Sequence, residues 1–246
     1  MSCAADAVIC GALIAEGAVA ESAARVCFAK SGGWRNVCPE QTIRKPEAFV
    51  RKRIWARSPG ARVVLGNGGL RVEKIGLAGW ASIEGERQLN MGDACAWARI
   101  FDRQIAGSVA AFFAEHVMEH MTPATTLTAA AAAFAALTPG GRLRIAVPDG
   151  YDPLNDNRLG TNMITGSAPH RTVWSHATLG EILHRVGFAV EAQAYHDVDG
   201  RWHERAWWIR EREFGRVRRS SRYDARLRNA TGSLIVDGIK PLNATC

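Results

Sequence analysis

The chain has 246 residues, 47% of them hydrophobic, and a formal net charge of +7 from 31 Lys and Arg against 24 Asp and Glu. This length can bury one sizeable core with additions, and no apolar run approaches the length of a membrane span, so a spanning protein is excluded and a soluble, cytoplasmic one is expected. Six cysteines, Cys3, Cys10, Cys27, Cys38, Cys95 and Cys246, show neither CxxC spacing nor a compact framework, which makes free thiols in a reducing compartment the default.

Residues 7–20 are apolar but lack a basic start and are interrupted by Glu16, with Glu21 just beyond, so they read as a helix and not as a secretory signal. Residues 39–57 form a charged connector in which EAFVRKRIWAR has the pattern of a short helix. Residues 1–60 are therefore taken as an N-terminal helical extension. Residues 62–65 read as a strand and run into Gly66-Asn67-Gly68-Gly69, a turn that lets the backbone approach a ligand closely. A second strand, residues 80–83, ends in Glu84. A carboxylate there can accept from both hydroxyls of a ribose, which makes Glu84 the ribose candidate. The crossover between the two strands is short for a full helix and contains Gly76 and Gly79, so the first helix should be truncated or irregular.

Residues 109–114 have the continuous apolar character of a buried parallel strand. Pro123 opens a helix whose run over residues 126–137 is dominated by alanine, Pro139-Gly140-Gly141 stops it, and residues 142–147 read as the next strand. Together they make a β-α-β unit. Ligands of open α/β sheets gather outside the carboxyl ends of the strands, so Glu115 and His116 after one strand, and Asp149 and Gly150 after the next, belong to the expected site. The intervening EHVMEH sets His116 and His120 four residues apart, and Glu115 and Glu119 likewise, which on a helix is the spacing of a metal-binding pair. It is not an HExxH pattern, because no Glu follows His116 directly. His116 also falls in the turn before helical geometry begins, so no metal is expected.

Residues 152–171 are rich in Asn, Asp, Gly and Pro and predict a mobile loop over the site. Ser175 or Thr178 caps a helix through Val186, whose stripe Leu179, Ile182, Leu183 and Val186 packs on the sheet until Gly187 ends it. Residues 188–195 form the next strand, and residues 206–209 and 233–236 are expected to supply an antiparallel edge. Between these lies an excursion, residues 210–230, holding eight arginines from Arg210 to Arg228. Such a cluster suits a solvated or structural role first, an anionic small molecule second and nucleic acid last, since no recognised RNA-binding motif accompanies it.

AEHVMEH (114–120) followed by LTPGGRLRIAVPDG (137–150) resembles the region around the fourth and fifth strands of class I S-adenosylmethionine-dependent methyltransferases, where an EH-containing turn, a helix and a PGG turn recur. The tail GRVRRSSRYDARLRNATGSLIVDGIKP (215–241) is similar to the C-terminal end of a bacterial subgroup of predicted methyltransferases. The resemblance spans roughly residues 62–241. It implies an α/β, Rossmann-like domain over residues 61–246, with a mostly parallel seven-stranded sheet, an antiparallel C-terminal edge and helices on both faces. It also implies S-adenosyl-L-methionine as cofactor, held by Gly66, Asn67, Gly68, Gly69, Glu84, Asn90, Met91, Glu115 and His116. Asn90 and Met91 fall where the family places a polar side chain and an apolar contact near adenine, with Asp93 beside them. Val64 departs from the pattern, standing where many members carry an acidic residue before the first glycine.

Methyl transfer is an in-line displacement at a sulfonium carbon, which needs a closely positioned acceptor and, for a hydroxyl, a base to take its proton. His170 and His176 flank the loop that should cover the acceptor and are the candidate bases, while Asp149 can orient the acceptor. An amine acceptor needs neither. The expected activity is methyl transfer to a small molecule, O- ahead of N-, with a sugar or an anionic metabolite as acceptor. A non-catalytic methyltransferase-like binding module and a dinucleotide-dependent oxidoreductase are the alternatives, and the incomplete glycine fingerprint speaks against the second.

Overall fold

The computed structural model describes residues 43–66, 77–84, 88–101, 107–154, 169–220, 222–223 and 232–243. The helix expected over residues 7–20, Asn67 to Gly69, and the loop segment 155–168 lie outside them. Seven strands form one sheet: Ala61–Leu65 (β1), Ala81–Ile83 (β2), Val109–Glu115 (β3), Leu137–Val147 (β4), Ala189–His196 (β5), Trp202–Glu204 (β6) and Leu234–Ile239 (β7). Their order is β2-β1-β3-β4-β7-β5-β6. Pairing is parallel from β2 through β4 and antiparallel at β4–β7, β7–β5 and β5–β6, so five strands point one way and β6 and β7 the other.

The two faces are covered unequally. Helices Lys45–Trp55 (α1), Ala94–Ile100 (α2), Pro123–Ala136 (α3) and His176–Val186 (α4) lie over the face that carries Val63, Leu65, Phe112, Leu143, Ile145 and Val236. The alternate residues Val64, Ala111, Phe113, Ala146 and Ile235 face the other way, as the two-residue period of a strand requires. They are covered by Leu77, Trp80, Trp207, Phe214 and Val217, from a 3-10 turn at Trp207–Arg210, the short helix Glu211–Phe214 (α5) and connecting chain. Val50 and Ile54 of α1 sit in the main core, so the end of the N-terminal extension packs on the sheet.

Local chemistry accounts for the helix limits. Thr122 caps α3 by accepting from the Thr125 N–H, with Pro123 behind it. Ser175 and Thr178 form a reciprocal capping box on α4, and Gly187 closes that helix at φ 105. Lys240 Nζ donates to the carbonyls of Phe134 at 2.9 Å and Leu137 at 2.8 Å, placing a cation on the negative end of α3.

Three expectations are corrected. The Pro139-Gly140-Gly141 turn is taken into β4, which starts at Leu137; Gly140 N–H bonds the Lys240 carbonyl at 2.8 Å, and the pairing of β3 with β4 shifts register there. Residues 206–209 are not a strand. Trp207 turns inward beneath the Arg144 guanidinium, its indole N–H donating to Glu204, and that burial needs the tight turn. The edge is supplied by β6, while β7 lies inside the sheet. The free-thiol expectation fails at Cys95, which is disulfide-bonded.

Candidate cofactor crevice and acceptor side

The chain leaves β1 towards β2 on one side and returns to β3 on the other, so the carboxyl ends of β1 and β3 flank a topological switch point, where open α/β sheets bind their ligands. Gly66 stands at the tip of β1 with φ 67, and its N–H donates to the Ile83 carbonyl at 2.8 Å. A Cβ on Gly66 would come within 2.7 Å of Val117 Cγ2, so backbone conformation and close approach both call for glycine. Leu65 pairs with Ile83, which brings Glu84 to the neighbouring tip. There its N–H bonds the Gln88 side chain at 2.8 Å, and Ser82 Oγ donates to its carboxylate at 3.3 Å. Gly66, Glu84, His116 and Val117 thus converge on one edge.

Asn90 and Met91 occupy a turn on the same side of the sheet. Asn90 accepts from the Gly92 N–H at 3.0 Å, the Met91 carbonyl accepts from Trp97 Nε1 at 3.1 Å, and Asp93 caps α2 through the Cys95 N–H at 2.9 Å. Gly92 lies against Thr125 at the start of α3. Met91 packs on the main core, and Asn90 is exposed.

Glu115 is engaged otherwise than the sequence suggests. It is 5% exposed and accepts from Arg218 Nε at 2.8 Å and the Arg219 N–H at 2.9 Å, so it clamps the arginine-rich excursion onto the tip of β3. His116 follows at φ 55, a left-handed turn residue. Its Nδ1 faces Arg219 NH1 at 3.2 Å and its Nε2 faces Ser233 Oγ at 3.0 Å. Beneath these, Arg144, 1% exposed, donates to both oxygens of the fully buried Asp237 at 2.7 and 2.8 Å. It also donates to the Gly215 carbonyl at 3.1 Å. Gly215 lies flat against the Phe113 ring at φ 107. Sequence reasoning missed Arg144, Asp237, Arg218 and Ser233. The one available signal was a basic residue alternating into an apolar strand at Arg144, and a matching acid at Asp237 in the return strand.

The three candidate catalytic residues fall into two groups. Asp149 is fully buried and accepts from the His196 N–H at 2.7 Å, the His196 ring at 3.0 Å and the Tyr151 N–H at 3.1 Å. His176 Nδ1 faces the His196 carbonyl at 3.1 Å, and its ring lies against Tyr195. His170 is elsewhere: residues 171 and 172 hang from the Glu119 carbonyl at 2.7 and 3.1 Å, and the His170 ring meets His120 edge to face at 5.1 Å between centroids. Burial lowers the His170 pKa, Glu119 opposes this, and His120, His116 and Arg219 add to the lowering.

No family model and no curated protein matches the chain. Solved structures that are similar in fold include S-adenosylmethionine-dependent methyltransferases and a [4+2]-cyclase. One from Archaeoglobus fulgidus is 16% identical, with a TM-score of 0.41, over 78% of this chain and 91% of its own. One from Mesorhizobium loti is 16% identical, with a TM-score of 0.40, over 78% of this chain and 96% of its own. The Burkholderia thailandensis 1,6-didemethyltoxoflavin-N1-methyltransferase, solved with S-adenosylhomocysteine bound, is 16% identical, with a TM-score of 0.40, over 89% of this chain and 88% of its own. No helix among the described residues is long and apolar enough to cross a membrane.

Proposed function

We propose that the chain is an S-adenosylmethionine-dependent methyltransferase acting on a small polar acceptor, O-methylation ahead of N-methylation. The observation that carries this is the switch-point crevice, where a glycine required both by its φ of 67 and by its approach to Val117 stands beside an acidic residue on the adjacent strand tip. In this reading Gly66 and the following Asn67, Gly68 and Gly69 cradle the methionine part of the cofactor. Glu84 accepts from the ribose, Asn90 and Met91 border the adenine, and His116 lines the pocket. The catalytic domain is residues 61–246, with α1 of the N-terminal extension closing its helical face.

The acceptor side is the group His116, His120 and His170, which opens on the same strand tips as the crevice. Asp149 and His176, tied through His196, serve this reading as the support that fixes the end of β4 and the start of α4. The arginine excursion suits an acidic acceptor less than composition suggests, because Arg144 and Arg218 are already matched by Asp237 and Glu115.

The test is calorimetric titration of the folded chain with S-adenosylmethionine and, separately, with NAD. Binding of S-adenosylmethionine at one equivalent, weakened by Glu84→Ala, is the expected result. Binding of NAD alone would favour the oxidoreductase, and binding of neither would leave a non-catalytic module.

A further inference from the structure

Glu119 is 2% exposed, yet among the described residues neither of its carboxylate oxygens has a hydrogen-bond partner. A buried ionised carboxylate left so is costly, and it calls for a cationic partner. His116 Nδ1 does stand 3.0 Å from Oε1, a distance that would suit an ion pair, but the contact is not aligned as a hydrogen bond. The surrounding network explains why. Ser233 Oγ donates to the Arg219 carbonyl at 2.7 Å, so it accepts from His116 Nε2–H at 3.0 Å, and the imidazole then presents a lone pair at Nδ1, which Arg219 NH1 meets at 3.2 Å. In that tautomer His116 offers Glu119 no proton.

Two other histidines complete the arrangement. One ligand atom each from Glu119, His120 and His170 lies within 4.8 Å of the other two. His120 Nδ1 faces the Pro169 carbonyl at 3.3 Å, so its proton is on Nδ1, and the lone pair on Nε2 is turned towards Glu119 Oε1 at 3.9 Å. A histidine whose other ring nitrogen donates to a backbone carbonyl is the usual state of a metal ligand. Both halves of the cluster are anchored by backbone. The Glu119 carbonyl receives the N–H groups of Arg171 and Thr172, Thr172 Oγ1 donates to the Met121 carbonyl at 2.7 Å, and Trp174 Nε1 donates to the Met118 carbonyl at 3.1 Å.

We propose that Glu119, His120 and His170 form a binding site for a divalent first-row transition ion, zinc foremost. Ligand atoms around a tetrahedral ion with bonds of about 2.0–2.1 Å stand roughly 3.3 Å apart, so the side chains close in by no more than about 1.5 Å. Two imidazoles and one carboxylate leave a coordination position open, as in catalytic rather than structural zinc sites. The site differs from the His116/His120 pair that the spacing of EHVMEH suggests: the turn at Met118–His120 is a 3-10 turn, which presents Glu119 and His120 to a second chain segment instead. Resting on the methyltransferase reading, the open position would take the acceptor's hydroxyl oxygen and lower its pKa, its proton passing to solvent water, so that the oxygen attacks the methyl carbon as the cofactor's sulfur leaves as a thioether and no protein base is needed.

The test uses the full chain, stripped with a chelator and titrated with Zn²⁺ and with Co²⁺ in the absence of S-adenosylmethionine, so that its outcome is independent of cofactor binding. One equivalent of Co²⁺ should bind with visible absorption bands of a four- or five-coordinate ion. His120→Ala and His170→Ala, each checked for native circular dichroism, should weaken binding at least roughly 100-fold, more than loss of an outer partner does. His203→Ala, at an exposed histidine on β6, should leave binding unchanged. No stoichiometric binding to the folded wild type, or binding that survives both His120→Ala and His170→Ala, overturns the assignment.

Discussion

Gly66→Ala is the sharpest perturbation of the crevice, because two independent costs meet there. An L residue held at φ 67 loses roughly 1–2 kcal/mol against glycine. The new Cβ would stand 2.7 Å from Val117 Cγ2, and forcing that contact apart costs roughly 1–3 kcal/mol more. A destabilisation of roughly 2–5 kcal/mol follows, at about 2–4 °C of melting temperature per kcal/mol for a domain of this size. The two costs can be separated with Val117→Ala, which removes the opposing methyls but leaves the φ unchanged. In a double-mutant cycle followed by urea denaturation, Val117→Ala should recover the steric part and show a favourable coupling of roughly 1–3 kcal/mol. Gly66→Ala should also weaken S-adenosylmethionine binding, and the double variant should regain part of it. A Gly66→Ala protein that melts with the wild type, or a cycle that is strictly additive, would refute the claim that this glycine is fixed by the turn after β3.

Glu47, 2% exposed, receives Arg99 Nε and NH2 at 2.8 Å each and the Arg44 N–H at 2.9 Å. Burial, the largest single influence, raises its pKa, but the Arg99 and Arg44 hydrogen bonds and charges together outweigh it and leave the group below its usual 4.5. The stabilisation is therefore present above pH 4.5 and fades as pH falls through the lower folded value, so Glu47→Gln should cost roughly 1.5–3 kcal/mol at neutral pH and progressively less on acidification. A gap between the two proteins that is constant with pH, in chemical denaturation, would count against it. Arg218→Ala and Glu115→Gln should both speed proteolysis within residues 215–220 to a similar degree, because each breaks the same clamp. If Arg218 instead served an anionic ligand, only Arg218→Ala would lower affinity for a polyanion such as heparin, and the clamp would be the wrong description.

How much of this was readable beforehand depends on the range of the interaction. Thr122-Pro123, Ser175 with Thr178, and Gly187 are local signals, and α3 and α4 lie where those residues say. The glycine turn and Glu84 were readable as types, since a strand followed by glycine and a second strand followed by an acid are short-range patterns. What local pattern did not carry was how distant segments meet. Asp237 lies 93 residues from Arg144, Arg218 lies 103 from Glu115, and His170 is brought to the 116–120 turn by a segment whose residues 171 and 172 bond the Glu119 carbonyl. The sequence reading offered His170 or His176, on either side of the loop, as the base and Asp149, at the strand tip, to orient the acceptor. The fold divides them, because His196, whose backbone and ring both bond Asp149, draws that residue and His176 to β5.

The same distinction governs the charge. A net charge of +7, with arginines crowded into one stretch, reads in one dimension as a surface waiting for an anion. In three dimensions half of the six described arginines of that stretch are paired with acids, Arg210 with Glu213, Arg216 with Glu211 and Arg218 with Glu115, while Arg142 and Arg144 of β4 converge on Asp237. Their planar guanidinium groups also stack on Phe214, Tyr223 and Trp208, which a lysine could not do as well. That explains why the basic residues here are arginine and not lysine. The excursion fastens the polar edge of the sheet by ion pairs where the opposite face is held by four helices. Part of the positive charge is thus spent on architecture, and among the described residues the buried carboxylate of Glu119 has no such guanidinium paired with it.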